Sequence, residues 1–111
     1  MVEIDRIARA MRRPRFLERV LTPLEREFCI KPQQVAGRWA AKEAVVKALG
    51  LPLSWHEVEI LPDELGVPRA QVRSVHYDPS RLRINVSISH ERTHAVAVAV
   101  LERMVFQAHS V

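Results

Sequence analysis

The chain is poor in several residue types, and each scarcity excludes something. Its 111 residues contain a single cysteine, Cys29, so an internal disulfide and a cysteine-built zinc site are both excluded. A reducing cytoplasm is the default compartment for such a protein. No apolar run reaches the ~18 residues of a membrane helix, and no charged-then-apolar leader opens the chain, so neither a membrane span nor a secretory signal is expected. Two tryptophans, one tyrosine and three phenylalanines are too few for a base-stacking platform. A small basic nucleic-acid binder, which a sequence pI near 10.0 alone would suggest, is therefore disfavoured. With only three glycines, no repeats and no Gly/Ser linker, the chain reads as one domain of ordinary size. Its 48% hydrophobic and 27% charged residues place it among globular chains and not disordered ones.

What is abundant is arginine near the start. Between Arg6 and Arg19 stand six arginines and one acid, Glu18. That density favours an acidic partner: a nucleic acid, a phosphorylated ligand or an acidic protein surface.

Ile4, Ile7, Ala8 and Met11 recur at helical spacing, which predicts a first helix with Arg6, Arg9 and Arg13 on its outer face. Pro14 ends or bends it. Thr22-Pro23-Leu24-Glu25 is a helix start with a capping box. The third helix, Pro32 to Leu49, closes at Gly50. One arc of it holds Gly37, Ala40, Ala41, Ala44, Val45 and Ala48, small enough to lie close on a sheet. Val35, Trp39 and Val46 make a second apolar arc, with Arg38 and Lys42 on one flank and Glu43 and Lys47 on the other. A helix this apolar is expected to be mostly buried, with Glu43 among packed neighbours. Strands are predicted at Val58–Leu61, Ala70–His76, Leu82–Ser89 and Ala95–Leu101, with a turn at Leu65-Gly66-Val67-Pro68. The last strand alternates alanine with valine and reads as central and covered on both faces. The class is α+β, a long helix packed on a mostly antiparallel sheet.

The segment Arg38-Trp39-Ala40-Ala41-Lys42-Glu43-Ala44, continuing to Lys47-Ala48, resembles the signature helix of the holo-acyl-carrier-protein synthases, small bacterial phosphopantetheinyl transferases. Four further stretches agree in order: Val2 to Ile7, Arg15 to Glu25, Gly66-Val67-Pro68, and Val86-Ser87-Ile88-Ser89-His90 followed by the Ala/Val strand. The resemblance spans residues 1–103, a single domain, and leaves 104–111 as a tail without an assigned role. It implies transfer of the phosphopantetheine arm of coenzyme A to a serine of apo acyl carrier protein, with Mg²⁺, by a homotrimer with sites between subunits. It further implies Glu43 as a metal ligand and Lys47 as a phosphate contact or proton acceptor. Arg38, Gly66, Pro68, Ser89 and His90 would border the coenzyme, and Arg6, Arg9 and Arg13 would face the carrier.

Plainer readings stand beside these. Glu43 and Lys47 could form only an i,i+4 ion pair, Gly66 and Pro68 only a turn, and the arginines only a solvated face. His90 could simply follow a strand, Glu3 and Asp5 could complement a helix dipole, and Trp39 could be core or interface. The family's opening strand carries a second metal-binding aspartate two residues before the position matched by Val2. The sequence starts at Met1, so an upstream extension is expected, with a catalytically impaired carrier-binding module as the alternative. Glu3 is expected to be a poor substitute, since strand alternation turns it away.

Overall fold

A computed structural model describes residues 1–105 of the chain; of the tail singled out above, residues 106–111 lie outside the described part. A two-residue strand β1 (Val2–Glu3) leads directly into α1 (Ile4–Ala10), which buries Ile4 and Ile7. Pro14 stands in the bend beyond it, and Arg15 takes a left-handed φ of 64°, reversing the chain into a short helix α2 (Phe16–Val20). Helix α3 (Pro23–Phe28) begins as its sequence demands: the Thr22 side chain accepts from the Glu25 amide and Glu25 accepts from the Thr22 amide. Helix α4 (Pro32–Leu49) has the predicted limits, with proline in its first turn and Gly50 at φ 66° as its cap. Gln34 folds back to accept from the amides of Ile30 and Lys31, satisfying donors the helix start leaves free.

The strands follow. β2 (Val58–Pro62) and β3 (Pro68–Val72) form one antiparallel hairpin; β4 (Leu82–His90) and β5 (His94–Arg103) form another, and β1 adds to the far edge of β5. Helix α4 lies across both sheets and is the shared wall of two buried clusters. The first gathers Ile7, Val20, Leu21, Val35 and Ala36; the second gathers Val45, Val58, Ile60, Val72 and Ile84. The α+β class therefore holds, with the strands divided between a three-stranded and a two-stranded sheet.

Two expectations need correction. β3 ends at Val72 instead of running to His76, because the Tyr77 amide turns back to the Ser74 carbonyl and closes a turn there. β5 is central in its sheet but covered on one face only. Ala95, Ala97, Ala99 and Leu101 share the face of Ile84, Val86 and Ile88 against α4, while Val96, Val98 and Val100 are 37, 57 and 53% exposed on the other. One helix can cover only one side of a sheet. Cys29 is buried in the first cluster, and desolvation pushes its thiol above the ordinary range, so it serves packing and not thiolate chemistry.

The small arc of α4 works as expected: a Cβ added at Gly37 would stand 3.0 Å from Ile88 Cγ2. Gly37→Leu should therefore destabilise the fold by about 1–3 kcal/mol through overpacking, read as a fall in the urea midpoint at unchanged slope. An unchanged midpoint would show that α4 does not sit so close to β4.

Candidate active site

Along α4 each residue advances about 100°, so Glu43 and Lys47 lie roughly 40° apart while Arg38 and Glu43 lie roughly 140° apart. The helix thus offers two working faces, and the remaining elements build a different pocket on each.

On the first face Glu43 and Lys47 are both exposed, contrary to the expected burial of Glu43. The buried charge is its neighbour Lys42, 1% exposed. Lys42 points inward, where its ammonium donates to Glu25 Oε1 at 2.6 Å, Val20 O at 2.7 Å and Trp55 O at 2.9 Å. Burial pushes the Lys42 pKa down, and the Glu25 carboxylate opposes this by favouring the charged form. The next residue, Glu43, faces out. Among the described residues Glu43 makes no ion pair, so the i,i+4 pairing with Lys47 does not form and both groups are available to a ligand.

Glu43 stands between two cavities. A cleft of about 310 Å³ runs past Glu43, Lys47, Leu53 and Trp55. A larger groove of about 740 Å³ holds Glu43 together with Arg6, Arg9, Arg13, Trp39 and His94. Helix α1 ends at Ala10, so Arg13, expected on the helix face, stands in the bend beyond it. With Arg6 and Arg9 it still borders the same space as the carboxylate of α4, although thirty or more residues separate them in sequence. Trp39 lies between Phe16, stacked at 5.9 Å between ring centres, and Trp55, tilted against it at 4.4 Å, which joins the floors of groove and cleft. Glu3 also borders the groove, rather than turning away, but its carboxylate lies 4.0 Å from Arg9. No three aspartate, glutamate, histidine or cysteine side chains converge among the described residues.

On the second face Arg38, Gly66, Pro68 and His90 line one pocket of about 200 Å³, with Gln33 at its rim. Three elements build it. Arg38 Nε donates to Ile60 O at 3.0 Å, fixing its stem against β2. His90 closes β4 in phase with Ile88 and so points to the α4 side. The Gly66 turn is held by Asp63, which accepts from the amides of Leu65 and Val67 at 2.9 Å each and pairs with Arg69. Gly66 has a φ of 82°, which a residue with a Cβ rarely adopts. Ser89 is not part of this pocket, because alternation turns it to the bare face beside Val96. Of the residues singled out by sequence, the structure thus assembles two groups: Glu43 and Lys47 with the arginines, and Arg38, Gly66, Pro68 and His90.

The 4'-phosphopantetheinyl transferase superfamily matches residues 1–99. The chain belongs to this superfamily. A holo-[acyl-carrier-protein] synthase of Exiguobacterium sp. is 47% identical over 112 residues, covering 92% of this chain and 87% of that protein. The Helicobacter pylori holo-[acyl-carrier-protein] synthase in complex with coenzyme A superposes with a TM-score of 0.84 at 32% identity, over 91% of this chain and 95% of that one. The Bacillus anthracis holo-(acyl-carrier-protein) synthase in complex with CoA (3',5'-ADP) gives 0.78 at 34% identity, over 93% and 91%.

Three residues around this site are not legible in the sequence: Lys42 reads as a flank of the helix but is buried, Glu25 reads as a cap within a resembling stretch but is also the charge partner of Lys42, and Trp55 carries no signal that connects it to the cleft. The capping box was the one available signal, since it locates a carboxylate at a helix start but says nothing of what else that carboxylate binds.

The Asp63 turn carries a pH dependence. Its carboxylate is held below the ordinary aspartate value, chiefly by the Val67 amide. A depressed carboxylate contributes order that is complete above its unfolded value and is lost as pH falls through the folded value. The Leu65 and Val67 amide resonances should accordingly titrate below about pH 3.9, and Asp63→Ala should abolish that transition. A midpoint at or above the ordinary value would mean that the amide contacts are absent in solution.

Proposed function

We propose that the chain is a holo-acyl-carrier-protein synthase: it transfers the 4'-phosphopantetheine arm of coenzyme A to a serine hydroxyl of apo acyl carrier protein and releases adenosine 3',5'-bisphosphate. The observation that carries this reading is the common groove of Glu43 with Arg6 and Arg9 of α1 and Arg13 just beyond it, which would deliver an acidic carrier's serine to the carboxylate face of α4. In the reaction the serine oxygen forms a bond to one phosphorus of the pyrophosphate, the bridging P–O bond breaks, and the hydroxyl proton is lost. Lys47, one turn from Glu43, is placed to meet phosphate oxygens or to take that proton. Glu43 would hold Mg²⁺ together with substrate phosphates, and the cation would neutralise charge as the P–O bonds exchange. The Arg38, Gly66, Pro68 and His90 pocket suits the nucleotide end of the coenzyme, with a guanidinium and an imidazole for phosphate and a glycine turn for a flat base. Such substrates fit the cytoplasm.

The two pockets stand on opposite faces of α4, so one chain does not join them around a single coenzyme. A homotrimer supplies the missing junction. A heterologous contact would set the Glu43 face of one subunit against the His90 face of the next, and with a threefold rotation such a contact closes into a ring. The bare Val96, Val98 and Val100 face of β5 supplies apolar surface that a monomer would leave wet.

Incubation with coenzyme A, Mg²⁺ and an apo carrier should add the phosphopantetheine mass to the carrier. Glu43→Gln should lower turnover by ~10²-fold or more with little change in the carrier KM. Arg13→Glu should raise the carrier KM and its salt dependence at nearly constant turnover. Near-normal turnover of Glu43→Gln would remove Glu43 from the site, and failure on several carriers would favour a non-catalytic carrier-binding module.

The shared site has its own check. Glu43→Gln and His90→Ala chains, each impaired alone, should regain about a quarter of wild-type activity when mixed in equal amounts and reassembled, since random rings place an intact face of each kind together in that proportion. Activity equal to the mean of the two variants alone would place the whole site within one subunit.

A further inference from the structure

The charged network beneath Glu43 has no counterpart in the chemistry assigned so far. Lys42 and Glu25 are 1 and 0% exposed, and Glu59 is buried beside them. Every donor of the Lys42 ammonium is used: one on Glu25, one on the last carbonyl of α2 at Val20, one on the Trp55 carbonyl in the 3₁₀ turn before β2. Glu25 also accepts from the Ile60 amide in β2 at 2.8 Å, and Thr22 Oγ1 donates to Glu59 at 2.5 Å. Glu59 faces Arg73 at 3.4 Å on its outer side. Two carboxylates and one ammonium thus bind α2, α3, α4 and β2 at a single point. The point lies one residue from Glu43, and Lys42 and Trp55 are themselves walls of the 310 Å³ cleft.

An apolar residue in place of Lys42 could fill the same space, but it could not fix the rotation of α4 about its own axis. Apolar contacts are non-directional, whereas three hydrogen bonds from one ammonium to three separate elements admit one orientation. Rotation of α4 decides where Glu43 and Lys47 point. We propose that Lys42 is a positioning residue for phosphopantetheinyl transfer: clamped by Glu25, Val20 and Trp55, it sets the azimuth of α4 and the Trp55 wall, and so aims Glu43 and Lys47 at the reacting phosphate. This rests on the transferase reading above. Lys42 touches no substrate in it, and its influence passes through the helix.

The test separates aim from folding. Lys42→Met alone strands the Glu25 charge in the core and is expected to lower Tm sharply. Glu25→Gln/Lys42→Met removes both charges together at nearly constant volume and is expected to restore Tm close to wild type. Turnover at saturating coenzyme A and carrier should nevertheless stay down by about 10-fold or more in the double variant, because reacting groups lose rate steeply with small misplacement. The carrier KM should stay within about twofold of wild type, since the α1 arginines are untouched. A double variant with normal Tm and normal turnover overturns the inference, leaving Lys42 a packing residue. A double variant that does not fold overturns it equally, because the network would then hold the whole domain and not the aim of the site. Absence of transfer by the wild-type chain itself would instead bring down the transferase reading, and this inference with it.

Discussion

The Lys42 ammonium is the point at which α2, α3, α4 and the turn before β2 are joined. A buried charge is costly unless it is paired and every donor is used, and here the three donors reach a carboxylate and two carbonyls from three different elements. Lys42 faces in, its neighbour Glu43 faces out, and Lys47 follows one turn later on the exposed side. Glu25 does two jobs with one side chain, capping α3 and neutralising Lys42, and Thr22 extends the link to Glu59 on β2.

Around that joint α4 divides the molecule. Its small residues lie against β4 and β5, its Glu43 face opens towards α1, and its Arg38 face opens towards the Gly66 turn. Arg38 and Glu43 stand roughly 140° apart around the helix, so the chain offers ligands two separate pockets. One helix also leaves the outer face of the sheet, with Val96, Val98 and Val100, uncovered. In the proposed homotrimer, association of copies of the chain would answer both.

The aromatic stack adds a second kind of support. Phe16, Trp39 and Trp55 come from α2, α4 and the turn before β2, and their offset rings fill the space between groove and cleft. Flat side chains with two rotatable bonds suit this position, because they give a firm floor while the polar groups above stay solvated.

Local rules carried much of this architecture. The capping box at Thr22 and Glu25, the limits Pro32 to Leu49, the Gly50 cap, the alternation of Leu82 to Ile88 and the turn at Gly66 all rest on contacts within a few residues, and all are legible in the chain itself. The superfamily was legible too, because its signature residues lie in one helix. Three things were not. The sequence showed Lys42 and Glu43 as adjacent charges on an apolar helix but could not say which one is buried, since that depends on a carboxylate 17 residues away and on carbonyls from α2 and the turn at Trp55. It showed the Ala/Val strand as apolar on both faces but not that only one face is covered, since covering is a property of neighbours and not of the strand. It showed the arginines and Glu43 as separate motifs, and only the packing of α1 beside α4 placed them on one groove. Hydrogen-bond and capping patterns are short-ranged and are written locally; the burial of a charge and the union of two faces are set by elements far apart in the chain, and only their packing decides them.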